Sequence, residues 1–228
     1  MARNRGRDSL VTRIMKSLPL FFFAAALASA QPFSYGIRGG VPLTDFLSTA
    51  ESGNFRYSSV PNRYIVGVGA ELHLPAGFAV GVDALYRHLN YSSNSGTTGV
   101  TTVISAASTT ANAWEFPLLA KYRFSAPLAR PLVEAGVAWD TLQGVTQTVR
   151  NTLIGGTTTT TSTSSPPELH KNTTSGFVIG AGLDVHAIVI HIQPEIRYTR
   201  WGAKHFLDPN NLLQSNQNQA EFLVGIVF

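Results

Sequence analysis

The stretch WEFPLLAKYRF, residues 114–124, sets Trp114, Phe116, Leu118, Ala120, Tyr122 and Phe124 on one face. Glu115, Pro117, Leu119, Lys121 and Arg123 fall on the other. A period of two is the mark of a strand, because successive side chains leave the pleat in opposite directions. The apolar face is aromatic at both ends and aliphatic in the middle. At roughly 3.3 Å per residue, a tilted run of this length is long enough to cross a hydrocarbon layer.

Seven more segments repeat the pattern. The first sets Phe33, Tyr35, Ile37 and Val41 against Ser34, Gly36, Arg38 and Gly40. Others occupy residues 63–74, 78–87, 133–140, 176–185, 188–199 and 220–228. In all eight, the charged residues lie on the second face: Arg38, Glu71, Asp83, Arg87, Glu115, Lys121, Arg123, Glu134, Asp140, Asp184, Glu195, Arg197 and Glu221 among them. A soluble sandwich alternates in the same way, so alternation alone does not say which face is inside.

Loop lengths and aromatic placement decide that question. The connections at Pro75–Gly77, Ser125–Arg130 and around His186-Ala187 are short, whereas those at about 44–62, 91–112, 143–173 and 202–217 are long. With antiparallel strands, every long connection falls at one end, as in transmembrane barrels with short periplasmic turns and long external loops. Tyr64, Tyr86, Trp114, Trp139, Phe177 and Tyr198 then gather at the long-loop rim. Phe33, Tyr35, Phe78, Tyr122, Phe124 and Phe228 gather at the other. Two aromatic girdles around an apolar band suit the two headgroup levels of a bilayer. The expected fold is all-β: an eight-stranded antiparallel up-and-down transmembrane barrel in the outer membrane of a Gram-negative-type bacterium, with both termini periplasmic.

The N-terminus agrees with export. Arg3, Arg5, Arg7, Arg13 and Lys16 precede an apolar run from Leu18 to Leu27, and Ala28-Ser29-Ala30 offers a small-residue cleavage site ahead of Gln31. Residues 1–30 therefore read as a signal peptide and 31–228 as the barrel. Met1 and Met15 are both available as starts. The formal charge of +4 lies in this leader, since residues 31–228 carry twelve basic and twelve acidic side chains. A neutral mature chain gives no reason to expect nucleic acid as a partner. The absence of cysteine excludes disulfides, thiolate metal sites and a Cys nucleophile.

The stretches WEFPLLAKYRF (114–124), PLVEAGVAWD (131–140), GFVIGAGLDV (176–185), IQPEIRYTRW (192–201) and the ending AEFLVGIVF (220–228) resemble the small outer-membrane β-barrel family of the OmpA/OmpX kind. The resemblance is nearest to its porin-like outer membrane protein beta-barrel domain group. It implies that Phe222, Val224, Ile226 and Phe228 form the signal read by the outer-membrane assembly machinery, with periplasmic chaperones as earlier partners. It also implies outer-membrane lipid as the surrounding phase. Full-length OmpA proteins carry a peptidoglycan-binding domain after the barrel, and no such domain is expected here.

No constellation specifies a reaction. The thirteen charges on the second face are expected to fill the lumen as a salt-bridge network, because buried ions must pair and eight strands enclose little more than side chains. Arg197 and Glu195 are expected to join Glu134 or Asp184 there. The six histidines lack metal-ligand spacing, so neither a metal nor a cofactor is expected. The polar run TTTTTSTSSPP (157–167) reads as a mobile solvated spacer. Residues 91–112 are more β-prone and suggest a hairpin rising beyond the membrane. The expected role is non-enzymatic: envelope integrity and display of surface loops, with adhesion as one version of that role, for a ligand the sequence does not name. A narrow ion or solute channel and an outer-membrane lipid-modifying enzyme are the alternatives.

Overall fold

The structure, a computed structural model, describes residues 33–59, 62–97, 102–187 and 190–228. The leader, with Ala28, Ala30 and Gln31, lies outside the described residues. Eight strands form the barrel: β1 (Phe33–Pro42), β2 (Ile65–His73), β3 (Phe78–Thr97), β4 (Val103–Arg123), β5 (Ala129–Leu153), β6 (Thr173–Ala187), β7 (Ile190–Trp201) and β8 (Asn218–Val227). Each pairs antiparallel with its sequence neighbours, and β1 pairs with β8, so the sheet closes. Closure satisfies the backbone polar groups that lipid leaves without a partner.

Register fixes the tilt. Ladder partners followed from Phe33 run through Leu72, Val80, Ala120, Ala135, Ile179, Tyr198 and Ala220. The path returns to the first strand at Leu43, whose amide donates to Ala220 O, ten residues beyond its start. A stagger of this size in eight strands inclines them at about 40° and leaves a bore that side chains fill.

The side chains partition as the alternation requires. Val66, Val82 and Leu118 point outward and are 46%, 49% and 44% exposed. Arg38, Glu71, Glu134 and Arg197 point inward and are buried. An outward band of Val, Ile, Leu and aromatic side chains around a whole molecule is far beyond what water tolerates. Prolines interrupt single ladders: Pro117 pairs with Ala138 on β5 but has no register partner on β3, and Pro194 pairs with Val224 on β8 but not with β6. A missing N–H is tolerable where the other neighbour still holds the strand.

Three features depart from the expected boundaries. Strands β3, β4 and β5 run on through residues 91–97, 103–112 and 143–153, which the loop pattern had placed in connections. The β3–β4 hairpin rises above the barrel as the sequence suggested, and β5 rises with it. The threonine run is not a free spacer. Thr158–Thr163 pairs antiparallel with Gln147–Thr152, because β-branched threonine suits extended backbone and β5 offers it an open edge. At the other end the β6–β7 ladder continues through His186↔His191 and Ala187↔Ile190, past the expected turn.

The rise of β5 needs one irregularity. Gly144 has φ +60°, and the β4–β5 register slips between Thr110 and Asn112. This bulge switches parity: Asp140 and Leu142 face inward below it, and Val145 and Gln147 above it. Gly136 is constrained differently, since a Cβ there would fall on the Leu118 carbonyl oxygen of the neighbouring strand. Gly136→Val is expected to force β4 and β5 apart and lower the refolding yield several-fold in detergent micelles. The check is the heat-dependent gel mobility of the folded form; unchanged yield would show that the strands absorb the side chain.

Candidate functional site: the charged lumen and its apolar cap

The inward positions of the strands meet around four cations. Arg38 Nε donates to Asp83 Oδ1 (2.6 Å), Nη1 to Glu195 Oε2 (3.1 Å) and Nη2 to Glu71 Oε1 (3.2 Å). Lys121 Nζ lies 2.9, 3.0 and 2.8 Å from carboxylate oxygens of Glu71, Glu134 and Glu195. Arg197 lies 2.8 Å from Asp83 Oδ2, 2.6 Å from Glu134 Oε1 and 2.7 Å from Glu195 Oε2. Arg123 bridges Asp184 (2.8 Å) and Glu71. Asp184 thus meets Arg123 and His191 (2.7 Å) rather than Arg197.

The glycines of the same face make this crowding feasible. A Cβ at Gly180 would stand 2.6 Å from Glu134 Oε1, and one at Gly69 would fall on Asp83 Oδ1. Small residues on one strand thereby leave room for long charged ones on the next. Each charge so deep needs several partners to offset its lost hydration, and the shared carboxylates supply them.

A second group lies nearer the long loops. Arg87 Nη2 donates to Glu115 Oε2 (2.8 Å) and Asp140 Oδ2 (3.3 Å), and Nη1 to Gln219 Oε1 (3.0 Å). Glu221 is buried beside this group and has no salt bridge among the described residues. The thirteen charges singled out in the sequence are therefore all buried inside the barrel, in two groups with four cations in one and a single cation in the other.

Above Arg87 the lumen is closed by a layer that the alternation did not disclose. Phe46 and Leu47 from the first long connection, Phe206 and Leu213 from the last, and Leu89, Tyr91, Ala111, Leu142 and Val145 from the long-loop ends of β3, β4 and β5 lie in one buried apolar cluster. The Arg87 guanidinium lies against the face of the Phe46 ring at 5.1 Å, and Tyr91 meets Phe206 edge-on at 5.3 Å. Leu47–Thr49 and Leu213–Ser215 pair as a two-stranded sheet that ties the two connections together. Polar contacts complete the cap: Tyr91 Oη and Gln147 Nε2 both donate to Glu168 Oε1, at 2.8 and 2.6 Å. Burial, then the nearby Asp208 carboxylate, raise the Tyr57 phenol above its ordinary value. The apolar pairs Phe46-Leu47, Phe206-Leu207 and Leu212-Leu213, set in otherwise polar connections, were the sequence signal for this cap.

The arrangement can brace a barrel and seal it. Among the described residues the cap joins no nucleophile to a base and an orienting acid, and no His, Asp and Glu cluster has metal-ligand geometry. The residues of the suggested assembly signal, Phe222, Val224 and Ile226, occupy the outward parity of β8, and Phe228 lies beside Tyr35 at the strand end.

Residues 28–202 match the family model described as outer membrane protein beta-barrel domain. No curated protein matches in sequence. Among solved structures, the chain is similar to the outer membrane protein OprG of Pseudomonas aeruginosa at 11% identity and a TM-score of 0.47, covering 86% of this chain and 92% of that one. It is similar to the N-terminal β-barrel domain of OprF, also of Pseudomonas aeruginosa, at 15% identity and a TM-score of 0.38, covering 87% and 98%. A further likeness is to Ail, the attachment invasion locus protein of Yersinia pestis, at 9% identity and a TM-score of 0.36, covering 86% and 96%. The family match spans most of the chain, through seven of the eight strands, and it agrees with the closed barrel and its outward apolar band: this chain belongs to the outer membrane protein beta-barrel domain family.

Proposed function

We propose that this outer-membrane protein is a non-conducting, non-enzymatic barrel that contributes to envelope integrity and presents a β-structured surface outside the cell. Both termini and the short turns lie on the periplasmic side in this reading. The observation that carries it is the double closure of the lumen, by interlocked ion pairs at mid-barrel and by the apolar cap above them. Strands β3–β5, with Thr158–Thr163 and Phe55–Ser59 paired at their two edges, supply the displayed surface. Outer-membrane lipid is the surrounding partner. Phe222, Val224, Ile226 and Phe228 serve the assembly machinery, and periplasmic chaperones accompany the chain before insertion.

Purified protein in planar bilayers is expected to give no conductance steps above the lipid background; sustained openings would make it a narrow channel. Protease added to intact cells is expected to cut in residues 154–157 or 164–167 and to spare 125–130. The reverse pattern would invert the orientation.

A further inference from the structure

Among the described residues of the membrane-level strands, one formal charge faces outward. Arg200, in β7, shares the outward parity of Ile196 and Tyr198 and is exposed. Its ladder partners are Phe177 on β6 and Asn218 on β8, so it stands at the level of the long-loop aromatic girdle. It makes no ion pair among the described residues. Its Nη1 donates to Asn218 Oδ1 at 2.6 Å, and Tyr198 Oη donates to the same oxygen at 2.7 Å. The first contact ties the guanidinium to β8, the second fixes the Asn218 amide, and the other guanidinium donors have no side-chain partner among the described residues.

The surface beside it is concave and apolar. A depression of about 470 Å3 is lined by Val137, Trp139, Phe177 and Arg200 among others. Phe177 is 73% exposed, against 44% for Trp139. A permanent cation on a face otherwise stripped of charge costs insertion energy unless it finds an anion at the interface. At the girdle, the anion at hand is a headgroup phosphate, and a planar guanidinium fits two phosphate oxygens at once. The apolar wall of the depression beside it, at Val137, Trp139 and Phe177, offers a bed for the acyl end of the same molecule. A related arrangement lies across the barrel, where Tyr86 Oη donates to Asn112 Oδ1 at 2.8 Å and His88 Nδ1 lies 2.9 Å from that oxygen. There a histidine takes the place of the guanidinium.

We propose that Arg200, held by Asn218, binds the phosphate of an anionic membrane lipid, one whose headgroup carries no cation of its own, with the acyl chain over Phe177 and Trp139. The proposal rests on the reading that this rim sits at headgroup level in a bilayer. It adds a preferred lipid class to a surface that otherwise only dissolves in lipid.

The test uses the full barrel with Trp114→Phe, which leaves Trp139 as the lipid-facing tryptophan because Trp201 is buried in the lumen. It is refolded into phosphatidylcholine vesicles containing a small fraction of lipid with brominated acyl chains, either phosphatidate or phosphatidylcholine. Brominated phosphatidate is expected to quench Trp139 as though enriched about tenfold at its surface, the gain of one charge-assisted bidentate contact. Arg200→Gln is expected to remove the preference, Arg200→Lys to keep part of it, and Arg56→Gln, in a loop strand, to leave it intact. Equal and strong quenching by both brominated lipids would overturn the anionic-lipid site while keeping the membrane placement. Quenching by neither would overturn the placement and the site together.

Discussion

Arg197→Met is expected to lower the unfolding free energy of the barrel by about 3–5 kcal/mol, the cost of leaving buried carboxylates without their cation. Arg197 contacts Asp83, Glu134 and Glu195 and is 1% exposed. Methionine fills much of the same volume, so the loss is electrostatic rather than a cavity. Its three carboxylates would then share Arg38 and Lys121 alone, and Asp83 would keep only its 2.6 Å bond to Arg38. The measurement is the urea midpoint of reversible unfolding in micelles, read by tryptophan fluorescence and by gel mobility. Combining Arg197→Met with Glu134→Leu should recover part of the loss, because one unpaired charge is removed with its partner. An unchanged midpoint in the single variant would mean that the lumen network does not stabilise the fold.

Phe206→Ala should cost a similar amount, but in a different layer. Phe206 is fully buried, meets Tyr91 edge-on, and accepts a backbone hydrogen bond from Ser215 N at 3.0 Å. Removing a buried phenyl ring costs about 3–5 kcal/mol. The cap is built from connections and strand extensions above the closed barrel, so its opening is a local event. The expected result is an unchanged midpoint for the barrel with proteolysis in residues 44–59 and 202–217 faster by on the order of a hundred- to several-thousandfold, the population ratio for such a loss. A barrel midpoint that falls with the cap would show that the two layers unfold as one.

The two variants probe parts of the molecule that were unequally legible in the sequence. The charge on Arg197 and its inward direction follow from parity, since the alternation from Ile192 to Tyr198 allows one face for lipid. Which carboxylate it meets does not follow, because partners on Glu134 and Asp184 depend on strand stagger. Arg197 takes Glu134, while Asp184 is left to Arg123. Phe206 carried weaker signals still. It sits in a polar connection without period, and its burial arises only when the first and last connections are brought together by β1–β8 pairing. The threonine run misled for a related reason: composition measures what a segment does alone, and the open edge of β5 gave it a partner.

Sequence alone determined the strand count, the closed sheet and the side of each strand residue that meets lipid, because a period of two repeated eight times leaves one consistent assignment of faces. The leader composition and the two aromatic girdles were readable in the same local way. Tertiary structure decided the pairing of lumen charges, the apolar cap and the bond between Arg200 and Asn218. These depend on distances between residues far apart in the chain, set by a ten-residue stagger and a bulge at Gly144 that no local pattern encodes.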